Sequence, residues 1–130
     1  MAADDLGFLG HRMRPGRGRV LVARTDRRTV GTVLVSWAPA DEAEIRTRFA
    51  GVPIMYWLRV DHPYRRRGIG TRLIRAAERM LREQGHRRVL IGVDQANVLA
   101  RKLYVSLGYR AEMTGLPGDS GPYDILVGDL

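Results

Sequence analysis

Residues 65–71 read Arg-Arg-Arg-Gly-Ile-Gly-Thr, two glycines set among arginines directly ahead of an amphipathic stretch. Glycine is costly to order and poor inside a helix, so it belongs where backbone must approach something closely or turn sharply. Arginines around such a turn suggest that the something is an anion. If the turn joins a strand to a helix start, it presents free backbone N–H groups and the positive end of the helix dipole. Side chains at Gly68 and Gly70 would obstruct a ligand there, while Arg65, Arg66 and Arg67 would add charge. The competing reading is an arginine-rich turn that merely starts a helix. His11, His62 and His86 have no metal-ligand spacing and read as surface residues, so no metal is expected. The chain has no cysteine, hence no disulfide, thiolate ligand or cysteine nucleophile.

The elements around this loop give it its context. Residues 1–18 are polar and rich in arginine, glycine and proline, and read as a coil-like leader. Two β-branched runs, 19–25 and 29–37, flank the polar turn Asp26-Arg27-Arg28 and predict an antiparallel hairpin. Residues 38–53 form a polar connection with room for one short helix near 41–49. A strand is expected over 54–60, between Pro53 and Pro63. Helical spacing over 71–84 aligns Leu73, Ile74, Ala77, Met80 and Leu81, with arginines and glutamates opposite and Gly85 as the stop. A buried strand (88–93), a helix after Asn97 ending at Gly108, and strands 109–113 and 123–128 complete one mixed α/β domain over 1–130.

Composition narrows the field. With 130 residues and 45% hydrophobic content, one domain can build a core. The formal charge of +8 attracts polyanions or phosphorylated ligands. Lys102 is the only lysine among the 22 basic residues. No apolar run approaches the roughly 20 residues of a membrane span, and the acidic start is no signal peptide, so the expectation is a cytoplasmic protein with no membrane partner. The loop fails two nucleotide motifs: it lacks the spacing and lysine of a Walker loop, and Leu73 stands where a Rossmann fingerprint needs its third glycine.

Three pieces in order instead resemble the GNAT family of N-acetyltransferases, over about residues 54–109. They are the strand ending Leu58-Arg59-Val60 with the R-x-x-G-x-G loop, the strand end Val93-Asp94-Gln95-Ala96-Asn97, and the run Asn97, Ala100, Leu103, Tyr104, Gly108, Tyr109. The resemblance implies a GNAT-type acyl-CoA N-acyltransferase fold: a mostly antiparallel sheet with a splayed central parallel pair and flanking helices. It implies a small, stand-alone member of bacterial type with a shortened N-terminus. It further implies acetyl-CoA as cosubstrate. Its pyrophosphate would lie on the backbone of Arg65, Arg66, Arg67, Gly68, Ile69, Gly70 and Thr71. Its pantetheine arm would pair with Leu58, Arg59 and Val60, and Asn97 would bond that arm or a nearby water. Tyr104 matches the residue that protonates the departing thiolate, an exchange between a phenol near pKa 10 and a thiol near about 8.5.

Two departures from the family pattern stand out. Neither 54–60 nor 89–93 carries a carboxylate, and Gly92 stands where a glutamate is common. A base would then be relayed water, Tyr56, Asp94 or the acidic segment 41–44. The family also starts with a strand and two helices that the leader cannot supply. The hairpin 19–37 would then be an exposed edge, and Val33, Val35 and Trp37 would want the cover of a homodimer partner. The acceptor reads as an amine-bearing small molecule, neutral or acidic, or a peptide. Two other functions stay open: a catalytically degenerate acyl-CoA-binding regulator, and a basic nucleic-acid-binding module. The latter lacks both aromatic-rich basic strands and a helix-turn-helix partner.

Overall fold

The computed structural model describes residues 6–9, 17–26 and 28–130. A seven-stranded sheet is built from β1 (Leu6–Leu9), β2 (Gly18–Thr25), β3 (Arg28–Ser36), β4 (Ile54–Val60), β5 (Arg88–Asp94), β6 (Arg110–Leu116) and β7 (Tyr123–Asp129). Its order is β1-β2-β3-β4-β5-β7-β6, and every neighbouring pair is antiparallel except β4–β5. Among the described residues three α-helices join it: α1 (Ala43–Arg48), α2 (Ile69–Glu83) and α3 (Val98–Ser106). The mixed, mostly antiparallel sheet with one parallel pair is the expected architecture.

Side-chain alternation makes three layers. Val89, Ile91 and Val93 of β5 face a core shared with Leu73, Ile74, Ala77 and Leu81 of α2 and Tyr104 of α3. Leu90 points the other way, into a second core with Ile45 of α1, the C-cap residue Phe49, and Ile125 and Val127 of β7. So α2 and α3 cover one face and α1 covers the other. Each long helix stops at a glycine of positive φ, Gly85 (92°) and Gly108 (99°), a conformation glycine adopts without steric cost.

Three expectations need correction. The leader is not all coil: Leu6–Leu9 pairs with Ala23–Val20 of β2, an element that a four-residue run gives little periodicity to reveal. Residues 1–5 and 10–16 of the leader, His11 among them, and the turn residue Arg27 lie outside the described residues, while Gly18 already belongs to β2. The hairpin is therefore not the sheet edge, and Val33 and Val35 are fully buried, so they need no partner's cover. Finally, Glu78 does not sit with the exposed charges of α2; it is 3% exposed, within the core layer.

Candidate active site

β4 and β5 pair over only two positions, Ile54↔Leu90 and Met55↔Ile91, and then part. The cause lies in β4. Two steps along β3, Thr32 to Leu34, match three along β4, Arg59 to Tyr56, so β4 carries an extra residue between them. Such a bulge bends its strand and raises the local twist. β5 stays in register with β7 along its whole length, Arg88↔Asp129 to Asp94↔Tyr123. The result is a fork, in which the backbone of 56–60 has no strand on its β5 side. An edge of this kind accepts an extended chain by main-chain hydrogen bonds.

The glycine loop sits at the end of β4. The Arg65 amide bonds the His62 carbonyl, and the Arg72 amide bonds the Gly68 carbonyl. Between them, the amides of Arg66, Arg67, Gly68, Ile69, Gly70 and Thr71 have no backbone acceptor among the described residues. Arg66 (φ 63°) and Gly68 (φ 76°) turn the chain through left-handed conformations into the start of α2. Six free amides at a helix N-terminus fit a phosphate group.

The two glycines have different surroundings. A Cβ at Gly68 would meet no protein atom within 4 Å, and its positive φ is what favours glycine there. A Cβ at Gly70 would point inward, 3.5 Å from Leu58 Cδ2 and from Leu103 Cδ2, where β4, α2 and α3 converge. The arginines also divide. Arg65 Nε donates to the Val60 carbonyl at 3.0 Å, and the Arg67 guanidinium lies 5.5 Å from the Tyr64 ring centre. Both hold the loop to itself, whereas Arg66 is exposed with no partner among the described residues.

On α3, Asn97 caps the helix, its side-chain oxygen accepting the Ala100 N–H at 3.2 Å. Its NH₂ group is left for another acceptor. Tyr104 is 5% exposed and its ring is in the core. Burial pushes its phenol up to about 12, so it stays protonated and is a donor. No described residue accepts its hydroxyl, yet no buried side-chain oxygen is left orphaned. The hydroxyl therefore opens onto accessible space.

On the α1 side of the fork stand Tyr56 of β4 and Tyr123 of β7, both packed on the second core. Burial, then the Asp41 charge and Tyr123, push the Tyr56 phenol up to about 12. That argues against Tyr56 as a base at neutral pH. A Cβ at Gly92 would lie 4.0 Å from the Tyr123 ring, so the aromatic borders the position where a glutamate was sought. Asp94 is half-buried at the end of β5. Trp37 is half-buried and lines, with Pro39, Ile45, Phe49 and Ile54, a cavity of about 290 Å³ at the far end of β4. His62 is exposed and His86 half-buried, and no metal-holding cluster occurs among the described residues.

Two buried carboxylates escaped the sequence reading. Asp124 Oδ1 accepts Gln95 Nε2 and the Gly115 amide, each at 2.9 Å, and Oδ2 pairs with Arg101. Burial pushes this carboxyl up, but those bonds outweigh it and hold it below the ordinary carboxylate value. With both oxygens engaged, Asp124 ties α3 and the turn before it to β7 and so positions Asn97 and Tyr104. Glu78 Oε2 accepts the Tyr109 hydroxyl at 2.7 Å and Oε1 pairs with Arg75 at 2.7 Å. Burial, then that bond, raises the Tyr109 phenol strongly. Each was visible as a lone acid at a core position of its element: Glu78 falls between Ile74 and Leu81, and Asp124 directly precedes the apolar run 125–127 of its strand.

The sequence matches the acetyltransferase (GNAT) family model over residues 3–109, well ahead of the 54–109 span first noted. Human N-acetyltransferase 8B is 30% identical over 89 residues, 68% of this chain and 37% of that protein. The chain thus spans little more than a third of that relative's length. Among solved structures, IAA acetyltransferase from Bacillus cereus shares 14% identity at a TM-score of 0.76, over 96% of this chain and 98% of its own. PaiA N-acetyltransferase from Thermoplasma acidophilum, in complex with coenzyme A, shares 18% at a TM-score of 0.67, over 85% and 60%. At these identities the structural likeness concerns the fold.

Proposed function

Because this chain belongs to the GNAT acetyltransferase family, we propose that it moves the acetyl group of acetyl-CoA to the amine of a small molecule or peptide by direct transfer. The observation that carries this reading is the parting of β4 and β5 beside the free amides of 66–71. A coenzyme with a pyrophosphate at one end and an amide-bearing arm at the other suits both features. The pyrophosphate takes the amides from Arg66 to Thr71, with Arg66 as the available charge and the Thr71 hydroxyl as an added donor. The pantetheine arm takes the main chain of Leu58, Arg59 and Val60, and the Asn97 NH₂. The coenzyme A bound by the Thermoplasma protein supports this choice.

The fork then sets the chemistry. Anchoring at the loop brings the thioester to β4, where one backbone amide polarises its carbonyl. The amine enters from the α1 side, between Tyr56 and Tyr123, and its nitrogen attacks the carbonyl carbon. The C–S bond breaks, and the electron pair leaves on sulfur. Tyr104 donates its hydroxyl to the developing thiolate. The proton gained by sulfur is balanced by the one the amine releases to water, which restores the phenol. No side chain is assigned as base, since 54–60 and 89–93 carry no carboxylate and the phenol of Tyr56 is held protonated.

Thiol release measured across an amine panel tests the reading. Turnover with at least one amine is expected, along with acetyl-CoA binding by calorimetry. Binding without any thiol release would favour an acyl-CoA-binding regulator, and no binding would remove the reading altogether.

A further inference from the structure

Residues 65–88 hold nine arginines against Glu78 and Glu83, a net +7 out of the chain's +8. The loop accounts for three of them. Arg72, Arg75, Arg79 and Arg82 recur at three- and four-residue spacing on α2, opposite its core side. Arg75, Arg79 and Arg82 are exposed, and Arg75 is partly neutralised by Glu78. At 1.5 Å per residue, Arg82 lies about 20 Å beyond Gly68, out of reach of a phosphate held at the helix start. Acetyl-CoA leaves this row unexplained.

A second observation concerns the neighbouring helix. α3 packs on the same face of the sheet as α2. Its outward positions include Val98 (55% exposed), Leu99 (78%) and Val105 (53%), the exposed large apolar side chains among the described residues. Lys102 lies between Val98 and Val105 on that outer side, four residues after one and three before the other. One side of the molecule therefore presents a row of arginines beside a narrow apolar strip.

We propose that this α2–α3 surface docks the protein onto an anionic lipid surface. The arginines supply attraction to acidic headgroups, and Val98, Leu99 and Val105 enter the boundary between headgroups and acyl chains. This is peripheral attachment, distinct from spanning, for which no described helix is long and apolar enough. Duplex nucleic acid would match the charge but leave the apolar strip without a contact. A single strand needs stacking aromatics, which the outer face of α2 lacks. A protein partner's hot spot sets its arginines around a buried aromatic anchor, and leucine and valine, the apolar residues of this strip, are under-represented in such anchors.

Co-sedimentation of the full chain with vesicles tests this. Vesicles of roughly two parts phosphatidylcholine to one part phosphatidylglycerol should carry the protein down, and pure phosphatidylcholine should not. Arg79→Gln/Arg82→Gln should weaken vesicle binding about thirty-fold, at about 1 kcal/mol per arginine, with acetyl-CoA affinity and Tm unchanged. Val98→Ser/Val105→Ser should weaken it several-fold. Equal binding to both vesicle types, or an unaltered Arg79→Gln/Arg82→Gln partition, would overturn the proposal. Duplex DNA displacing the protein from vesicles at equal phosphate concentration would also overturn it and reassign the surface.

Discussion

The proposed transfer concentrates its acid step in one hydroxyl, that of Tyr104. In Tyr104→Phe the ring and its packing remain, so kcat should fall roughly 10²-fold or more while acetyl-CoA affinity changes little in calorimetry. Near-wild-type turnover would assign the thiolate's proton to another donor. Its pKa near 12 also sets a pH signature. The neutral phenol is the working form, and it is lost only as pH rises through that value. The rate should therefore climb as the amine deprotonates and show no fall up to about pH 10. A falling limb between pH 8 and 10, about two to four pH units below the folded phenol, would contradict this role. Asp124 behaves oppositely. Its folded pKa is depressed, so its stabilisation is present above the unfolded value near 4 and fades as pH falls through the folded one. Asp124→Asn should cost about 2 kcal/mol at neutral pH by calorimetry, and the variant should lose less stability than wild type below about pH 4. Asn97 and Tyr104 could be found in the sequence because motif residues keep their spacing. Asp124 and Glu78 show in the sequence only as lone acids at core positions, because the partners that explain their burial, Arg101 and Tyr109, lie 23 and 31 residues away.

At the scale of elements, glycines mark where one element presses on another. A Cβ at Gly128 of β7 would fall 2.6 Å from the Tyr109 ring, which is itself locked by its bond to Glu78. Gly128→Ala should therefore cost about 1–3 kcal/mol in chemical denaturation, against a few tenths for an unhindered site. The loop glycines should also separate. Gly70→Ala leaves ordinary contacts of 3.5 Å and should bind acetyl-CoA nearly as wild type, whereas Gly70→Leu should push α2 off β4 and α3. Gly68→Val, strained at positive φ, should weaken acetyl-CoA binding by about 1–3 kcal/mol without unfolding the protein. Calorimetry showing both bulky variants at wild-type affinity would take the loop out of the site. Helices α1, α2 and α3 and strands β2 to β7 were legible because each carries its own period and stop signal. β1 was not, since its identity depends on a pairing with β2 rather than on any pattern within Leu6–Leu9.

For the whole molecule, the case for a homodimer rested on an uncovered hairpin, and β1 covers that edge. Sedimentation at micromolar concentration should give a monomer mass independent of loading; a mass rising towards twice that value would point to an interface on another surface. The parallel fork divides the sheet more deeply than its single strand order suggests. Strands β1 to β4 form one plate, β5, β7 and β6 another, and two residue pairs stitch them along the sheet. The rest of the join is the core that α2 shares with strands of both plates, so the plates should loosen from each other before either melts. An extended ligand laid between them would work as a wedge of missing strand. Acetyl-CoA should then do more than raise the melting temperature by mass action. Amides of 56–60 and 92–94 should exchange with deuterium fastest among the strands in the free protein, and slow together once the gap is filled.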